Sequence, residues 1–294
     1  MLQKIKITCI VALALMLSSC TSNESVNKRL TIVSNAWIGY APLFYAEQKG
    51  YLKDINIKVI PVVSLAEASD TFLVGKADMV TTTQHEYRTI KKEVKDITPI
   101  ILLDRSNGGD MILSNKNTKE LKSAEKIYAY LEVDSINYDL LDSFLKKQHI
   151  SMDKIIFNNE DQSSISGLRY VNKPILIVTY VPYDTFLKKR GYKVIASTKD
   201  INSLVVIDSL CTTRLVIEKN AQRLKKLKTI IDRSIKEIMS NKKSAYKLLS
   251  PYLDNISYES YIDAFNTIKW VNNPSENFLK IIKPLGYNKK DLVN

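Results

Sequence analysis

The chain is poor in the residues that catalysis and metal binding most often use. Its 294 residues include three cysteines, two histidines and eight glycines. His85 and His149 are far apart, and the sequence around His85 lacks the second histidine of a zinc-protease helix. The sequence contains neither a P-loop nor a Gly-x-Ser-x-Gly elbow. The common metal-dependent and nucleophilic signatures are therefore missing, and we expect His85 to be a surface helix residue and no metal site to be present.

Cysteine is also too scarce for a disulfide framework. Cys9 lies in an N-terminal apolar segment and Cys20 follows that segment, so Cys211 is the one thiol of the remaining chain. One thiol cannot form an internal disulfide. Cys211 lies close to the apolar run Leu204–Ile207, which favours a small buried residue over a nucleophile.

Long uncharged apolar runs are absent apart from the run at the N-terminus. Two lysines precede the eleven uncharged residues Ile7–Leu17, which are too few to span a bilayer and are typical of a secretory signal. The following Leu17-Ser18-Ser19-Cys20 resembles a bacterial lipoprotein cleavage site, and the alternative is an ordinary signal with a chance cysteine. We predict a signal peptide over 1–19, lipid on Cys20, a polar tether over 20–28 and an extracytoplasmic location at the membrane.

The size and charge of the remainder point to two lobes and one basic helix. About 275 residues exceed what one compact core usually holds. The segment Arg214–Lys247 carries eleven Lys or Arg against three acids. Nucleic acid binding is disfavoured because the segment lacks interleaved aromatics, whereas attraction to anionic lipid stays an alternative. A solvated helix face is favoured, because apolar residues recur at three- and four-residue spacing: Leu215, Leu224, Leu227, Ile231, Ile235 and Ile238.

Strands and helices alternate along the chain. The predicted strands are Leu30–Val33, Ile57–Val63, Asp78–Thr81, Ile97–Leu103, Asp110–Leu113, Ile127–Leu131, Lys154–Phe157, Ile175–Tyr180, Lys193–Ala196 and Leu204–Asp208. The predicted helices are Leu65–Val74, Gln84–Glu93, Ile136–Gln148, Ser163–Val171 and Tyr183–Lys189, with only helices after Asp208. This alternation predicts parallel βαβ units. A glycine-rich break near residue 108 and the polar stretch Ser197–Asn202 divide the chain into three parts.

The stretch Ser34–Leu52 is the strongest candidate for a binding site. Gly39 suits a turn, Pro42 suits the start of a helix, and Gly50 suits its left-handed end. Trp37 and Tyr40 thus fall at the carboxyl end of a strand and beside a helix N-terminus, where open α/β sheets bind ligands. Both rings could stack on a flat ligand, and both could instead close the core of the lobe.

Further candidate ligand-binding residues follow other predicted strands. Hydroxyls at Thr82, Thr83 and Ser135 could hold an anion, or they could only cap the helices that follow them. Tyr180 could contact the ligand or pack in the core, as Trp37 could. Asp208 and Glu132 could bind an amine or pair with nearby lysines. The remaining candidate is Ser106, in the loop Asp104–Asn107.

Several motifs together resemble one known family. They are Trp37-Ile38-Gly39-Tyr40-Ala41-Pro42-Leu43, Glu47-Gln48-Lys49-Gly50-Tyr51-Leu52, Gly75-Lys76-Ala77-Asp78-Met79-Val80, Gly108-Gly109-Asp110, Val178-Thr179-Tyr180-Val181-Pro182-Tyr183, Lys199-Asp200-Ile201 and Leu204-Val205-Val206. In this order they resemble the solute-binding lipoproteins of ABC importers for nitrate, sulfonate, taurine and thiamine precursors (the NMT1/sulfonate-binding-like group). The resemblance implies an α/β, two-lobed, periplasmic-binding-protein-like fold of type II with two crossover strands. Lobe 1 would comprise 29–105 and 203–294, and lobe 2 would comprise 106–202.

The resemblance also implies a function. The protein is expected to deliver a small polar or anionic solute, such as a sulfonate, nitrate or a thiamine precursor, to an ABC permease and its ATPase by hinge closure. We expect a monomer without cofactors, enzymatic activity or nucleic acid partners, held at the membrane through lipid on Cys20. A sensor or scaffold of the same fold is the alternative, and an exported enzyme is a more distant one.

Overall fold

Two β-sheets organise the computed structural model, which describes residues 28–201 and 204–293. The strands in chain order are β1 (Leu30–Asn35), β2 (Ile57–Val62), β3 (Met79–Thr82), β4 (Ile97–Ser106), β5 (Asp110–Ser114), β6 (Ile127–Leu131), β7 (Ile155–Asn159), β8 (Ile175–Tyr180), β9 (Lys193–Ser197), β10 (Ile207–Thr213) and β11 (Ile268–Trp270). The first sheet has the order β11-β4-β10-β3-β1-β2, and the second has the order β7-β6-β8-β5-β9.

Helices cover and connect the strands. In chain order they are α1 (Ala41–Gln48), α2 (Leu65–Leu73), α3 (Gln84–Glu93), α4 (Thr118–Ser123), α5 (Ile136–Gln148), α6 (Gln162–Ser166), α7 (Asp184–Lys189), α8 (Arg214–Ser240), α9 (Lys242–Leu249), α10 (Tyr258–Phe265) and α11 (Glu276–Ile282). Short 3₁₀ turns include Ile38–Tyr40 between β1 and α1. Gly50 follows α1 with φ 74°, the left-handed conformation predicted for it.

The two sheets divide the chain at two places. The first sheet takes its strands from 30–106 and 207–270, and the second takes its strands from 110–197. We call each sheet with its packed helices a lobe, the first and the second respectively. The chain crosses between the lobes near 107–109 and again between β9 and β10. This is the predicted α/β architecture with two crossovers, whereas the predicted boundaries of independent domains stay a prediction.

Strand direction is mixed in both sheets. In the first sheet β1 runs parallel to β2 and β3, while β10 is antiparallel to both β3 and β4. In the second sheet β6 runs parallel to β7 and β8, while β5 is antiparallel to β8 and β9. Because an antiparallel strand begins where its parallel neighbours end, the first residues of β10 and β5 lie at the carboxyl edges of their sheets.

Two strand predictions near the C-terminus were wrong. The strand predicted over Leu204–Asp208 is instead β10, which begins at Ile207 and runs to Thr213. The position of this strand could not be predicted from hydropathy, because several of its buried residues are polar. Their hydroxyls are paired inside the fold: Ser209 Oγ lies 3.3 Å from Thr82 Oγ1, and Thr212 Oγ1 donates to the backbone oxygen of Asp78 at 2.6 Å. The expectation of helices alone after this strand was also wrong, because β11 adds three residues beside β4.

The basic segment forms α8 and α9, and its lysines are mostly exposed. Leu224, Leu227 and Ile231 are buried along one face of α8, as the spacing predicted. Leu215 is 56% exposed, contrary to prediction, because it precedes Asn220, where the helix has non-helical torsions. Among the described residues, no helix combines the length and apolar character that a membrane crossing requires. The predicted signal peptide and Cys20 lie outside the described residues.

Apolar packing continues from one lobe into the other. One cluster of buried side chains includes Tyr40 and Leu103 of the first lobe together with Met111, Ile177 and Tyr180 of the second. The lobes are therefore in close contact in this structure. Any enlargement of the space among these packed side chains requires the lobes to move apart at the two crossovers.

Candidate functional site

A cavity lies between the two lobes, at the edges where their strands meet. It is lined by Asn35, Trp37, Tyr40, Leu65, Thr83, Asp110, Tyr180 and Asp208. The volume of this cavity is about 10 Å³, which is enough for about one water molecule. A solute of several heavy atoms would enter only if the lobes separated.

Strand direction explains how distant residues reach this cavity. Asn35 ends β1, Thr83 follows β3 and Tyr180 ends β8, so all three lie at carboxyl edges. Asp208 and Asp110 lie at the beginnings of the antiparallel strands β10 and β5, with Asp110 directly opposite Tyr180 in the register. The two aspartates therefore lie beside the ends of the neighbouring strands, at the same edges of the sheets as Asn35, Thr83 and Tyr180.

Trp37 is held in place by one carboxylate and two glycines. Its Nε1 donates to Asp104, at 3.3 Å from Oδ1 and 3.2 Å from Oδ2. A Cβ on Gly39 would stand 1.7 Å from Asp104 Oδ2, and one on Gly109 would stand 2.5 Å from the Trp37 ring. Gly39 has no positive φ, so close approach, rather than the freedom to turn predicted for it, accounts for glycine there.

The other polar aromatics of the cavity are also anchored. Tyr40 Oη donates to Asp208 Oδ1 at 2.6 Å, and Asn35 Nδ2 donates to Tyr180 Oη at 3.2 Å. The Trp37 and Tyr180 rings meet edge to face, with centroids 5.9 Å apart. Trp37 and Tyr40 are both buried in the shared apolar cluster. The two predicted alternatives are therefore compatible, since the same rings pack in the core and line the cavity.

Buried acceptor atoms remain around the cavity. Asn35 Oδ1, Asp110 Oδ2 and Asp208 Oδ2 have no hydrogen-bond partner among the described residues. The three side chains are 1%, 4% and 2% exposed. An unpaired buried polar atom is costly, so these atoms mark a place prepared for a partner that can donate hydrogen bonds.

Burial also changes how these carboxyl groups titrate. Desolvation is the main cause that raises the pKa of Asp110 to about 7, and the Glu86 charge adds to it, while the Ser106 hydroxyl opposes it. Desolvation, followed by the charges of Glu86 and Asp161, raises the pKa of Glu132 to about 8. The pKa values of Asp208 and Asp104 are raised well above their ordinary range, again chiefly by burial.

Glu86 links the first lobe to a helix of the second. Its Oε2 accepts from the backbone N–H of Thr83 at 3.0 Å, which completes a capping box at the start of α3. Its Oε1 accepts from the backbone N–H of Ile136 at 3.1 Å, at the first residue of α5. One buried carboxylate therefore occupies the N-termini of two helices from different lobes.

His85 makes a second contact between the lobes. Its Nδ1 lies 3.2 Å from Asp139 Oδ2 on α5, and its side chain is 22% exposed. The expectation of a simple surface residue was therefore wrong, because α3 and α5 pack against each other. Burial lowers the pKa of His85, but the hydrogen bond that its ring donates to Asp139 and the charges of Glu86 and Asp139 outweigh this effect, so the net shift of the pKa is upward.

The sequence model of the NMT1/THI5-like family matches residues 37–245 of this chain, a range that includes all of the residues lining the cavity except Asn35. The chain belongs to the NMT1/THI5-like family. A search of curated protein sequences finds no match.

Solved structures similar to this NMT1/THI5-like protein share its fold at low sequence identity. One is a ligand-binding component of an ABC-type import system from Staphylococcus aureus with zinc bound (TM-score 0.72, 13% identity, 91% of this chain and 97% of that chain). Another is the periplasmic aliphatic sulphonate-binding protein SsuA from Escherichia coli (TM-score 0.68, 13% identity, 87% and 85%). A third is the periplasmic nitrate-binding protein NrtA from Synechocystis PCC 6803 (TM-score 0.62, 13% identity, 80% and 69%). The predicted periplasmic-binding-protein-like fold is thereby confirmed.

Five of the residues predicted to bind ligand line the cavity of this family member, and four, including Glu132, lie outside its lining. The five are Trp37, Tyr40, Thr83, Tyr180 and Asp208. The hydroxyls of Thr82, Ser106 and Ser135 are engaged within the fold instead. Thr82 contacts Ser209 and Cys211, Ser106 contacts Thr198 at 2.7 Å, and Ser135 caps α5 while donating to the backbone oxygen of Glu132.

The sequence reasoning missed Asn35, Leu65, Asp104 and Asp110. Asn35 and Asp104 lay within stretches already singled out, and Asp110 ends the Gly108-Gly109-Asp110 motif. The signal that could have found Asp110 is its place at the start of a strand directly after a crossover. Cys211 is buried as predicted, and burial raises the pKa of its thiol to about 11. Among the described residues, no group of three or more His, Cys, Asp or Glu side chains is placed to hold a metal ion.

Proposed function

We propose that this NMT1/THI5-like protein is an extracytoplasmic receptor that captures a small polar solute between its lobes and delivers it to an ABC importer. The observation that carries the proposal is the cavity between the lobes, to which both contribute and in which buried acceptors lack partners. The S. aureus neighbour is named as the ligand-binding component of an ABC-type import system. A sulfonate, nitrate or a thiamine precursor is a candidate solute by analogy with the neighbours and the family.

Hinge movement at the two crossovers supplies the binding cycle. Three polar contacts join the lobes around the cavity: Asn35 with Tyr180, Glu86 with the Ile136 N–H, and His85 with Asp139. These contacts are broken when the lobes separate and are restored when a solute is enclosed. A solute that bridges both lobes adds its own contacts to the closed form, which shifts the population toward closure.

Binding is tested directly on the full-length protein purified in mild detergent. We expect at least one small polar metabolite to raise the melting temperature, to give a saturable calorimetric isotherm and to remain unchanged chemically after incubation. We also expect that solute to compact the protein in small-angle X-ray scattering. If no member of a broad panel of anions, amines, pyrimidines and neutral metabolites binds, the receptor proposal is refuted, and turnover of a bound compound would favour the enzyme alternative.

Delivery needs a separate experiment. Where genes for a permease and an ATPase lie beside the gene for this protein, their products are reconstituted in liposomes. We expect uptake of the bound solute to require both ATP and the receptor. Binding without any uptake, together with a sensor kinase encoded alongside, would support the sensing alternative instead.

Lipid on Cys20 would keep the receptor close to its permease. A single acyl chain binds membranes weakly, so a lipidated cysteine with more than one chain suits a stable anchor. Metabolic labelling with radioactive palmitate is expected to mark the wild-type protein and the Cys9→Ala control, but not Cys20→Ala. Equal labelling of Cys20→Ala would refute the anchor while leaving the binding proposal intact.

A further inference from the structure

We propose that the cavity between the lobes recognises a compact organic cation, a protonated amine or an amidinium, rather than an anion. The inference rests on the proposed function only in taking this cavity as the solute site. It is carried by the hydrogen-bonding capacity of the cavity wall, by the charge around it and by the occupation of two helix N-termini, those of α3 and α5.

Most side-chain hydrogen-bond donors of the cavity wall are already paired within the protein, whereas several acceptors are not. The indole N–H of Trp37 is committed to Asp104, and the hydroxyl of Tyr40 is committed to Asp208. Thr83 Oγ1 is committed to Glu86. The wall retains the hydroxyl hydrogen of Tyr180 and the second amide hydrogen of Asn35.

Against these two donors stand three buried oxygen atoms without partners in the described chain: Asn35 Oδ1, Asp110 Oδ2 and Asp208 Oδ2. The two carboxyl oxygens are acceptors once their groups are ionised, which a bound cation favours. An ammonium offers three N–H donors and an amidinium four, so either matches a wall of acceptors. A sulfonate or nitrate offers acceptors only and would leave these atoms unpaired.

The charge around the cavity has one sign. None of the residues lining it is a lysine or arginine, so the alternative in which Asp208 and Glu132 pair with lysines is not realised here. The acids that act on Asp110, Asp208 and Glu132 are Glu86, Asp104 and Asp161. The tyrosines that interact with the same carboxyl groups are Tyr40, Tyr180, Tyr183 and Tyr287. An anion would be repelled by the acids, whereas a cation would relieve their mutual repulsion.

Two helix N-termini near the cavity are already occupied. Such N-termini are the usual backbone sites for anions. Here the carboxylate of Glu86 accepts from the N–H of Thr83 at the start of α3 and from the N–H of Ile136 at the start of α5. The chain thus supplies its own anion where a bound sulfonate or nitrate would need those N–H groups.

Aromatic rings complete a site for an organic cation. Trp37, Tyr40 and Tyr180 line the cavity together with the apolar side chain of Leu65. Ring faces attract cations, and apolar walls bind the carbon skeleton that a metal ion lacks. No set of three or more ligating side chains suited to a metal occurs in the part of the chain that the structure describes. An organic cation therefore fits better than a metal ion.

The test uses matched pairs of probes that differ in charge. Benzamidine is compared with benzoate and benzenesulfonate, propylamine with propanesulfonate, and nitrate, Mg²⁺ and Zn²⁺ are added as separate arms. Titration calorimetry of the full-length protein is run at pH 6 and pH 8, in two buffers of different ionisation enthalpy. We expect a cation of the panel to bind and its anionic partner to give no saturable signal.

The pH dependence supplies a second, independent readout. Because burial keeps Asp110 and Glu132 partly protonated near neutrality, a bound cation must displace protons from them. We expect proton release on binding and tighter binding at pH 8 than at pH 6. Anion binding to protonated carboxyls would show the opposite sign, with proton uptake and weaker binding at pH 8.

Variants locate the effect. Asp208→Asn is expected to weaken cation binding by about tenfold or more, as the loss of a charged hydrogen-bond acceptor does. Asp110→Asn is expected to weaken binding similarly and to reduce proton release. Asp70→Asn makes the same chemical change at an exposed position of α2 and is expected to leave binding unchanged.

The outcomes separate the inference from the proposed function. Saturable binding of an anion, with Asp208→Asn unchanged or tighter, overturns the cation inference but leaves the receptor proposal standing. Stabilisation by a metal ion alone also overturns it. If neither these probes nor a broad metabolite panel binds, both proposals fail.

Discussion

Gly39→Ala is expected to destabilise the protein strongly, because the residue has no room for a methyl group. Its Cβ would stand 1.7 Å from Asp104 Oδ2, 2.2 Å from Asp104 Cγ and 2.5 Å from Trp37 Nε1, whereas ordinary contacts begin at 3.4 Å. The Asp104 carboxylate must therefore retreat by about 1.5 Å or more in a closely packed interior. The movement breaks its hydrogen bonds with the Trp37 indole.

The magnitude follows from two contributions. Overpacking a core costs about 1–3 kcal/mol, and a hydrogen bond to a charged group contributes about 1.5–3 kcal/mol. A loss of about 3 kcal/mol in the free energy of unfolding lowers the melting temperature of a protein of this size by about 6–12 °C. Thermal unfolding followed by circular dichroism measures this change.

The control is Gly167→Ala, at the end of α6, where φ is −81° and the nearest atom to a Cβ is a backbone oxygen at 3.2 Å. We expect its melting temperature to stay within about 2 °C of wild type. In an Asp104→Ala background, Gly39→Ala should destabilise less, because the carboxylate that it meets is gone. A loss below 2 °C for Gly39→Ala alone, or an equal loss in both backgrounds, would refute the reasoning.

Three further predictions concern titratable and hydrogen-bonded groups. Tyr40→Phe removes the donor to Asp208 and is expected to lower stability by about 1–3 kcal/mol in urea unfolding; an unchanged midpoint would mean that the bond contributes nothing. Between about pH 4 and 7 the buried carboxyl of Asp110 binds more protons folded than unfolded, so stability falls as pH rises. Asp110→Asn should lessen that fall in melting temperature, and an identical slope would contradict it. Asp139→Asn should lower the pKa of His85 in an NMR titration, because its bond and charge raise that pKa; an unaltered pKa would show that the contact is absent in solution.

Local sequence signals predicted many elements closely, because caps, stops and apolar spacing act over a few residues. The predicted α5 runs from Ile136 to Gln148 as observed, since Ser135 caps it and His149 ends it in the left-handed conformation. β10 was misplaced because its buried serine and threonines are satisfied by residues far away in sequence. β11 has three residues and depends on β4 for its pairing, so no local sequence pattern predicts this strand.

The candidate site shows the same division between local and distant information. Trp37 and Tyr40 were predicted to lie at a strand end, and they do. Leaving Thr82 out of the predicted site would have required knowing that its hydroxyl faces Ser209 and Cys211. Asp110 was predicted to begin a strand after a crossover, but its position opposite Tyr180 follows from antiparallel pairing with β8.

The amino-acid sequence by itself determined the α/β class, the two crossovers, the family and the strand-end position of the aromatic residues, since short-range pattern and motif order encode them. Only the tertiary structure decided what those residues face. It placed Asp110 and Asp208 from separate lobes at one cavity, directed the donors of Trp37 and Tyr40 to carboxylates, and set Glu86 across two helix N-termini. Charge and hydrogen-bond balance in a buried cavity depend on which distant groups meet, and strand pairing across the chain settles that.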